Sequence, residues 1–431
     1  MLGPASNKER ARMFSKWQWW LMQFSRALWV RATAFAILAV GTSLLAIVGQ
    51  RWLPADLPVT VGADAVDTIL NVLASSMLAV TTFSLSVMVS AYGAATSNVT
   101  PRATKLLMQD STTHNALATF IGSFLFSLVG LVALSTGAYG EGGRVILFLV
   151  TLLVIVLIVI TILRWIDHLS RLGRVGETTD RVEQATRAAL RQRAAHPTLG
   201  GHPRDPDQPP PADARPVYPD RIGYVQHVDG DALSDWADRQ DAELYLAALP
   251  GHFAHPRQPL AWVVGGGRDP EASVRAGFTV DDERTFDEDP RFGLVVLSEI
   301  ASRALSPAVN DPGTAIDVIG RSVRILAEWR RVGEQAAAER SGDPVRRPRL
   351  WVPPLNEADF FDDLFNPIAR DGASLVEVQI RLQKALAALA ALGFPEPARR
   401  HGRLALARAE AALVSEEDKA HLRQRADWLS R

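Results

Sequence analysis

The chain of 431 residues contains no cysteine. That excludes disulfides, Cys-ligated zinc, iron–sulfur clusters and thiol nucleophiles. It has no surplus of either charge, with 46 basic against 47 acidic residues and a net charge of −1. A global nucleic-acid footprint is therefore not expected. His-Glu-x-x-His, a phosphate-binding loop and Gly-x-Ser-x-Gly are all missing, so the common hydrolase and nucleotide-loop signatures are too. His252 and His255 share one loop at a spacing a metal can use, but two exposed loop histidines are the simpler reading. The sequence thus predicts no enzyme, no cofactor and no metal. What remains is 48% hydrophobic and 22% charged, a balance that excludes a wholly disordered protein.

The average conceals a division. Residues 1–165 hold 11 basic and 6 acidic side chains, and the remainder hold 35 and 41. Val145–Leu163 is a run of 19 residues without a charge, long enough to cross a hydrocarbon core that needs ~20 residues. Leu28–Val48, Thr68–Tyr92 and Ala116–Ser135 are three earlier candidates. Trp17, Trp19, Trp20, Trp29 and Trp52 lie near the ends of the first span, where an interfacial aromatic belt belongs. Lys8, Arg10, Arg12, Lys16, Arg26 and Arg31 lead into or open it. Arg102 and Lys105 follow the second span, and Arg164, Arg171 and Arg174 the fourth. The alternate loops carry Arg51 and Arg144 with Asp56, Asp64, Asp67 and Glu141 instead. Positive charge marks the cytoplasmic side, so both termini are expected in the cytoplasm. The basic and aromatic lead-in, residues 1–27, suits an amphipathic helix on the inner leaflet.

The second span is unlike the fourth. At 100° per residue, Asp67, Asn71, Ser75, Thr82 and Ser86 share about a third of the helix circumference, with Leu78 and Val89 on the same stripe. Polar groups facing lipid are costly, so this face is expected to meet protein or water. Small hydroxyl residues serve close helix packing. Alternatively, the stripe from each copy in an oligomer lines a pore, with Leu78 and Val89 as constrictions and Asp67 as an outer ring. After it, Pro101 stops the helix or opens the next one.

Arg164–Ala195 reads as a helix continuing span four, with Leu169, Leu172, Val175, Val182 and Ala189 at three- or four-residue spacing. His196–Pro219 holds eight prolines in 24 residues and reads as a linker or exposed loop. Ile222–Val228 is a candidate strand, Asp231 a candidate cap for a short helix, and Glu243–Leu249 with Leu260–Val264 a candidate strand pair. The glycines at 265–267 read as a plain turn. Asp289-Pro290 and Asp311-Pro312 each supply a cap followed by proline at the first helical position. The first helix is expected to run to about Leu305 and the second to about Trp329, with Ser306 and Asn310 in the corner between them. Residues 335–349 read as loop. Phe360, Phe361, Leu364, Phe365 and Ile368 form one apolar helix face. Ser374 with Glu377, and Ser415 with Asp418, read as capping boxes, and Gly393 with Pro395 ends a helix. The fold class expected is mainly α. A four-helix transmembrane domain (28–165) is followed by a juxtamembrane helix (166–195), the linker (196–219), and a cytosolic α+β domain (220–431) with a C-terminal helical bundle.

The run from Arg303 to Ala315, Arg-Ala-Leu-Ser-Pro-Ala-Val-Asn-Asp-Pro-Gly-Thr-Ala, is similar to the signature of a bacterial family of predicted membrane proteins. That family is number 2254 of the domain-of-unknown-function series. Residues 223–229, Arg284-Thr285, Phe292-Gly293, residues 361–364 and Pro101-Arg102 match it as well, although similar members usually carry Ser where this chain has Thr100. The resemblance implies four spans and a cytosolic domain, and brings no activity or catalytic residue. Arg284, Arg303, Ser306, Asn310 and Asp311 are the cytosolic motif residues to locate. Capping and ion pairing are one reading of them, a ligand pocket the other. Two functions are expected to compete. One is a homo-oligomeric ion channel in the bacterial inner membrane, its pore lined by the second span and gated or filtered by the cytosolic domain. The other is a membrane-anchored module that binds a ligand or partner without transport. The bilayer, a second copy of the chain and inorganic ions are the partners implied.

Overall fold

A computed structural model describes residues 63–137, 141–267, 270–340 and 345–430, with scattered helical residues between 30 and 41. The expected interfacial helix and most of the expected first span lie outside the described residues. The chain divides into two compact units, with the boundary at 178/179.

The first unit is helical. Helix α1 spans Ala63–Asn98, α2 Pro101–Met108, α3 Ser111–Ser135 and α4 Glu141–Arg171. Among the described residues, three of these (α1, α3 and α4) are long and apolar enough to cross a membrane. At 1.5 Å per residue α1 measures about 54 Å, well beyond a hydrocarbon core of about 30 Å. Its buried edge, Val66, Leu70 and Met77, packs with Phe120 and Phe126 of α3 and with Leu147 and Ile158 of α4. Gly130 of α3 lets Leu70 approach closely, since a Cβ there would stand 3.1 Å from a Leu70 methyl. Pro101 opens a helix, and the Thr100 hydroxyl caps it by accepting from the Ala103 amide at 3.2 Å. A serine supplies the same hydroxyl.

The helix expected to run unbroken through Arg164–Ala195 is divided. Gly173 adopts φ +80°, and its missing Cβ leaves room for the Ala91 backbone. A left-handed glycine is a standard helix terminator. Helix α5 then covers Val175–Ala195.

The second unit mixes strands and helices. Its strands are β1 (His202–Pro203), β2 (Arg215–Val217), β3 (Gly223–Val228), β4 (Ala242–Leu246), β5 (Phe253–Ala254), β6 (Ala261–Gly265), β7 (Phe278–Asp281) and β8 (Leu350–Val352). One sheet has the order β1-β8-β4-β6-β2 and a second the order β5-β3-β7. In the first, β4 pairs antiparallel with β6, as the sequence suggested, and parallel with β8. The stretch 196–219 is not a linker. It supplies β1 and β2, the two edge strands of the larger sheet. Edge strands tolerate proline because one side of their backbone needs no ladder partner, and Pro203 and Pro216 stand there. Val217, Leu244, Leu246, Ala261, Val263, Leu350 and Val352 form the buried layer beneath this sheet, with Leu233 and Ala237.

Helices α6 (Gly230–Gln240) and α7 (Glu271–Ala276) flank the strands. The cap of α6 is Asp229, accepting from Ala232 at 2.9 Å, not Asp231. Helices α8 (Pro290–Ala304) and α9 (Pro312–Glu339) begin at the two predicted Asp-Pro pairs. Helix α9 continues three turns past Trp329, into the stretch read as loop. Then come α10 (Glu357–Asp371), α11 (Val376–Ala391), α12 (Pro395–Ala412) and α13 (Glu416–Arg425). The five apolar residues of α10 are all buried. Ser415 caps α13 as expected. Ser374 does not cap α11, whose cap position is Leu375.

Candidate functional site

Every residue of the predicted stripe, Asp67, Asn71, Ser75, Leu78, Thr82, Ser86 and Val89, is exposed on α1. Leu78 and Val89 keep more than half of their surface. The neighbouring helices cover the opposite edge of α1 and leave this one bare. Each hydroxyl on it is turned back into its own helix. Ser75 donates to the Asn71 carbonyl, Thr82 to Leu78 and Ser86 to Thr82, all at 3.0 Å. These hydroxyl donors are thereby spent locally, and their oxygens keep acceptor capacity. The polar face is interrupted by the apolar side chains of Leu78 and Val89.

A buried polar cluster beside it escaped the sequence reading. Asp110 caps α3 and accepts the Thr113 hydroxyl at 2.6 Å. Its carboxylate also lies 2.7 Å from His168 Nε2 on α4. Trp165 stacks on His168 and donates its indole N–H to Ser84 of α1 at 3.0 Å. Asp110 looks in sequence like an ordinary cap, and His168 is 58 residues away, so no local signal joins them. The cluster ties α1, α3 and α4 together by satisfied polar contacts.

The motif residues expected in the second unit do not form one pocket. Arg284 grips Asp289 with two hydrogen bonds, 2.7 and 3.0 Å, at the start of α8 and lies over the Phe292 ring. Arg303, Ser306, Asn310 and Asp311 stand at the other end of that helix, about 20 Å away by helical rise. There, Ser306 donates to the Arg303 carbonyl at 2.7 Å. Asp311 caps α9 through the Thr314 amide and hydroxyl, and those bonds hold its carboxyl below the usual range. Asn310 sits at φ +51°, a left-handed conformation that Asn tolerates better than other side chains with a Cβ. Its role in the corner is conformational.

A larger ionic assembly binds α5 to α9. Arg321 meets Asp180, Glu183 at 2.8 Å and Asp317 at 2.6 Å. Arg324 reaches Glu183 at 2.9 Å, while Arg187 (2.5 Å) and Arg191 converge on Glu328. Partners advance together along both helices, so α5 and α9 run parallel. Burial would raise the carboxyls of Glu183 and Glu328, but their arginines outweigh it and hold both below the usual range. Gly293 on α8 abuts Thr186 of α5 so closely that a Cβ would overlap the threonine hydroxyl. Gly293 thus seats α5.

Among the described residues no group of three His, Asp or Glu side chains is arranged to hold a metal. His252 is half-buried on a loop, and its desolvation pushes the ring pKa down.

Long apolar helices joined to an α/β domain define a membrane protein with a folded extramembrane region. The family described as "Predicted membrane protein (DUF2254)" matches residues 25–388, and the chain belongs to it. Uncharacterized proteins of Mycobacterium tuberculosis (strains CDC 1551 / Oshkosh and ATCC 25618 / H37Rv) and Mycobacterium bovis are similar to it. Each is 33% identical over 157 residues, which is 33% of this chain and 29% of the relative. The chain therefore spans under a third of the length of these curated relatives. No solved structure matches it.

Proposed function

We propose that the chain assembles as a homo-oligomeric ion channel of the bacterial inner membrane, with four spans and both termini in the cytoplasm. The exposed stripe of α1 from each copy lines the pore. The observation that carries this reading is that all seven stripe residues are exposed, uncovered by the other described helices. Burying polar side chains against lipid is unfavourable, and a shared aqueous axis removes that cost. The acceptor capacity of the stripe's hydroxyl oxygens and Asp67 favour cations. Leu78 and Val89 are the constrictions. No catalytic step is assigned to any residue.

The test is purification and planar-bilayer recording. The expected outcome is an oligomer that conducts, with Leu78→Ser raising conductance or open time. A monomeric protein without conductance under any voltage overturns the proposal. The alternative, a membrane-anchored module that binds a ligand or partner without transport, draws its support from the separately compact α/β unit. There the expected outcome is that residues 179–431 alone fold and bind.

A further inference from the structure

Arg193, near the C-terminal end of α5, is 5% exposed. Its Nε and Nη2 are buried without a hydrogen-bond partner among the described residues. No carboxylate among the described residues reaches it at ion-pair distance, in contrast to Arg187 and Arg191, six and two residues earlier on the same helix. A buried guanidinium without partners costs several kcal/mol, and the usual resolution is a bound counter-charge or a water. Arg193 also lines a cavity with Ala189, Gln192, His196, Leu199, Pro250 and Glu288. The cavity volume is about 20 Å³, room for one water-sized particle and too little for phosphate or a carboxylic acid.

The field in this cavity is positive. His196 Nδ1 is buried there without a partner. Burial first, and then the nearby Arg340, Arg346 and Arg347, push the His196 ring pKa down, so at neutral pH it is an uncharged neighbour. Arg346 and Arg347 share one carboxylate, Asp231. Glu288 is the acidic group in the lining, and its Oε1 is already engaged by His227 Nδ1 at 2.7 Å. Arg340, Arg346 and Arg347 thus add positive charge around His196 to that of Arg193, against Glu288 in the lining. Desolvation lowers the Arg193 pKa to about 10, with Glu288 pulling the other way, which leaves it charged at pH 7.

We propose that this cavity is a binding site for a single monatomic anion, chloride in a cell, held by Nε and Nη2 of Arg193. The inference does not rest on the pore. It assigns α5 a bound ion at the end of the helix that also carries the ionic seam to α9.

The experiment uses the full chain in detergent, with sodium chloride replacing sodium gluconate at fixed ionic strength and thermal unfolding as the readout. The midpoint is expected to rise saturably with chloride. Arg193→Gln should flatten that response while circular dichroism stays unchanged. Glu288→Gln removes a repelling carboxylate from the lining and should lower the half-saturating chloride concentration about tenfold. If Arg193→Gln does not fold, Glu288→Gln decides alone. Indifference of the native chain to the exchange means a water fills the cavity and overturns the proposal. A chloride response unchanged in both variants places the ion elsewhere and overturns it equally.

Discussion

Helices α1 and α9 carry polar side chains on the same three- and four-residue beat, yet the two stripes end in opposite situations. On α9, Arg321, Arg324 and Glu328 are met by Asp180, Glu183, Arg187 and Arg191 of α5. On α1, Asn71, Ser75, Thr82 and Ser86 are exposed and meet no other helix among the described residues. Charged groups of opposite sign that are partly desolvated must find each other, because an uncompensated one is costly. Hydroxyls have a cheaper solution, donating to the carbonyl one turn back. A polar stripe built from charges therefore reports a partner within the fold. One built from hydroxyls leaves its partner open to lipid, water or another copy.

The largest effect that would break this contrast is at Arg321. Arg321→Ala leaves Asp180 and Asp317 without their arginine and removes one of the arginines on the buried Glu183, and a loss of about 3 kcal/mol is expected in denaturant unfolding of the full chain. A loss under 1 kcal/mol would show that the seam is ornamental and no better held than α1's bare face. Gly293→Ala comes next. Its methyl collides with Thr186 and should cost about 2 kcal/mol, with Thr186→Ala in the same chain recovering part of it. An unchanged stability would mean that α5 is not seated on α8.

Acid sharpens the comparison from another side. Glu183 and Glu328 titrate below the ordinary 4.5 in the folded chain. In the unfolded chain they bind protons first as pH falls. Their contribution is complete above about pH 4.5 and disappears as pH drops through the depressed folded values. Spin labels on α5 and α9 should therefore separate at acid pH, while labels along α1, α3 and α4 report no change from this source. Asn310→Ala is expected to cost about 1 kcal/mol, since alanine resists φ +51°, and Asn310→Gly to be near neutral. The smallest effect is expected of Thr82→Ala, below about 0.5 kcal/mol in the monomer. If this change instead weakens the oligomer strongly, the α1 face is a packed helix contact and the pore proposal fails.

The local elements were legible because their signals are local. Asp289-Pro290 and Asp311-Pro312 each start a helix where capping chemistry says they should, and the apolar face of α10 is buried throughout. The errors have a common origin. Eight prolines suggested a linker at 196–219, and nothing nearby in sequence reveals that β8, some 150 residues later, offers β1 an edge. Gly173 carries no mark separating a packed helical glycine from a left-handed one until Ala91 stands beside it. The candidate site divides in the same way. The α1 stripe was visible from its spacing, whereas the Asp110–His168 contact, the α5–α9 seam and the Arg193 cavity join residues whose separation hides them.

From its sequence alone the chain is bound to be a membrane protein with apolar spans, a polar second span and a charged domain after them. Hydrophobic run length, charge placement and Asp-Pro caps act over a few residues and need no tertiary context. Only the tertiary structure decided which polar groups meet. It paired α9's charges with α5's, placed Arg284 and Asn310 at opposite ends of one helix, and left the hydroxyls of the α1 stripe exposed while burying Ser84. Pairing depends on distance in space, and periodicity states which way a side chain faces but never what it faces.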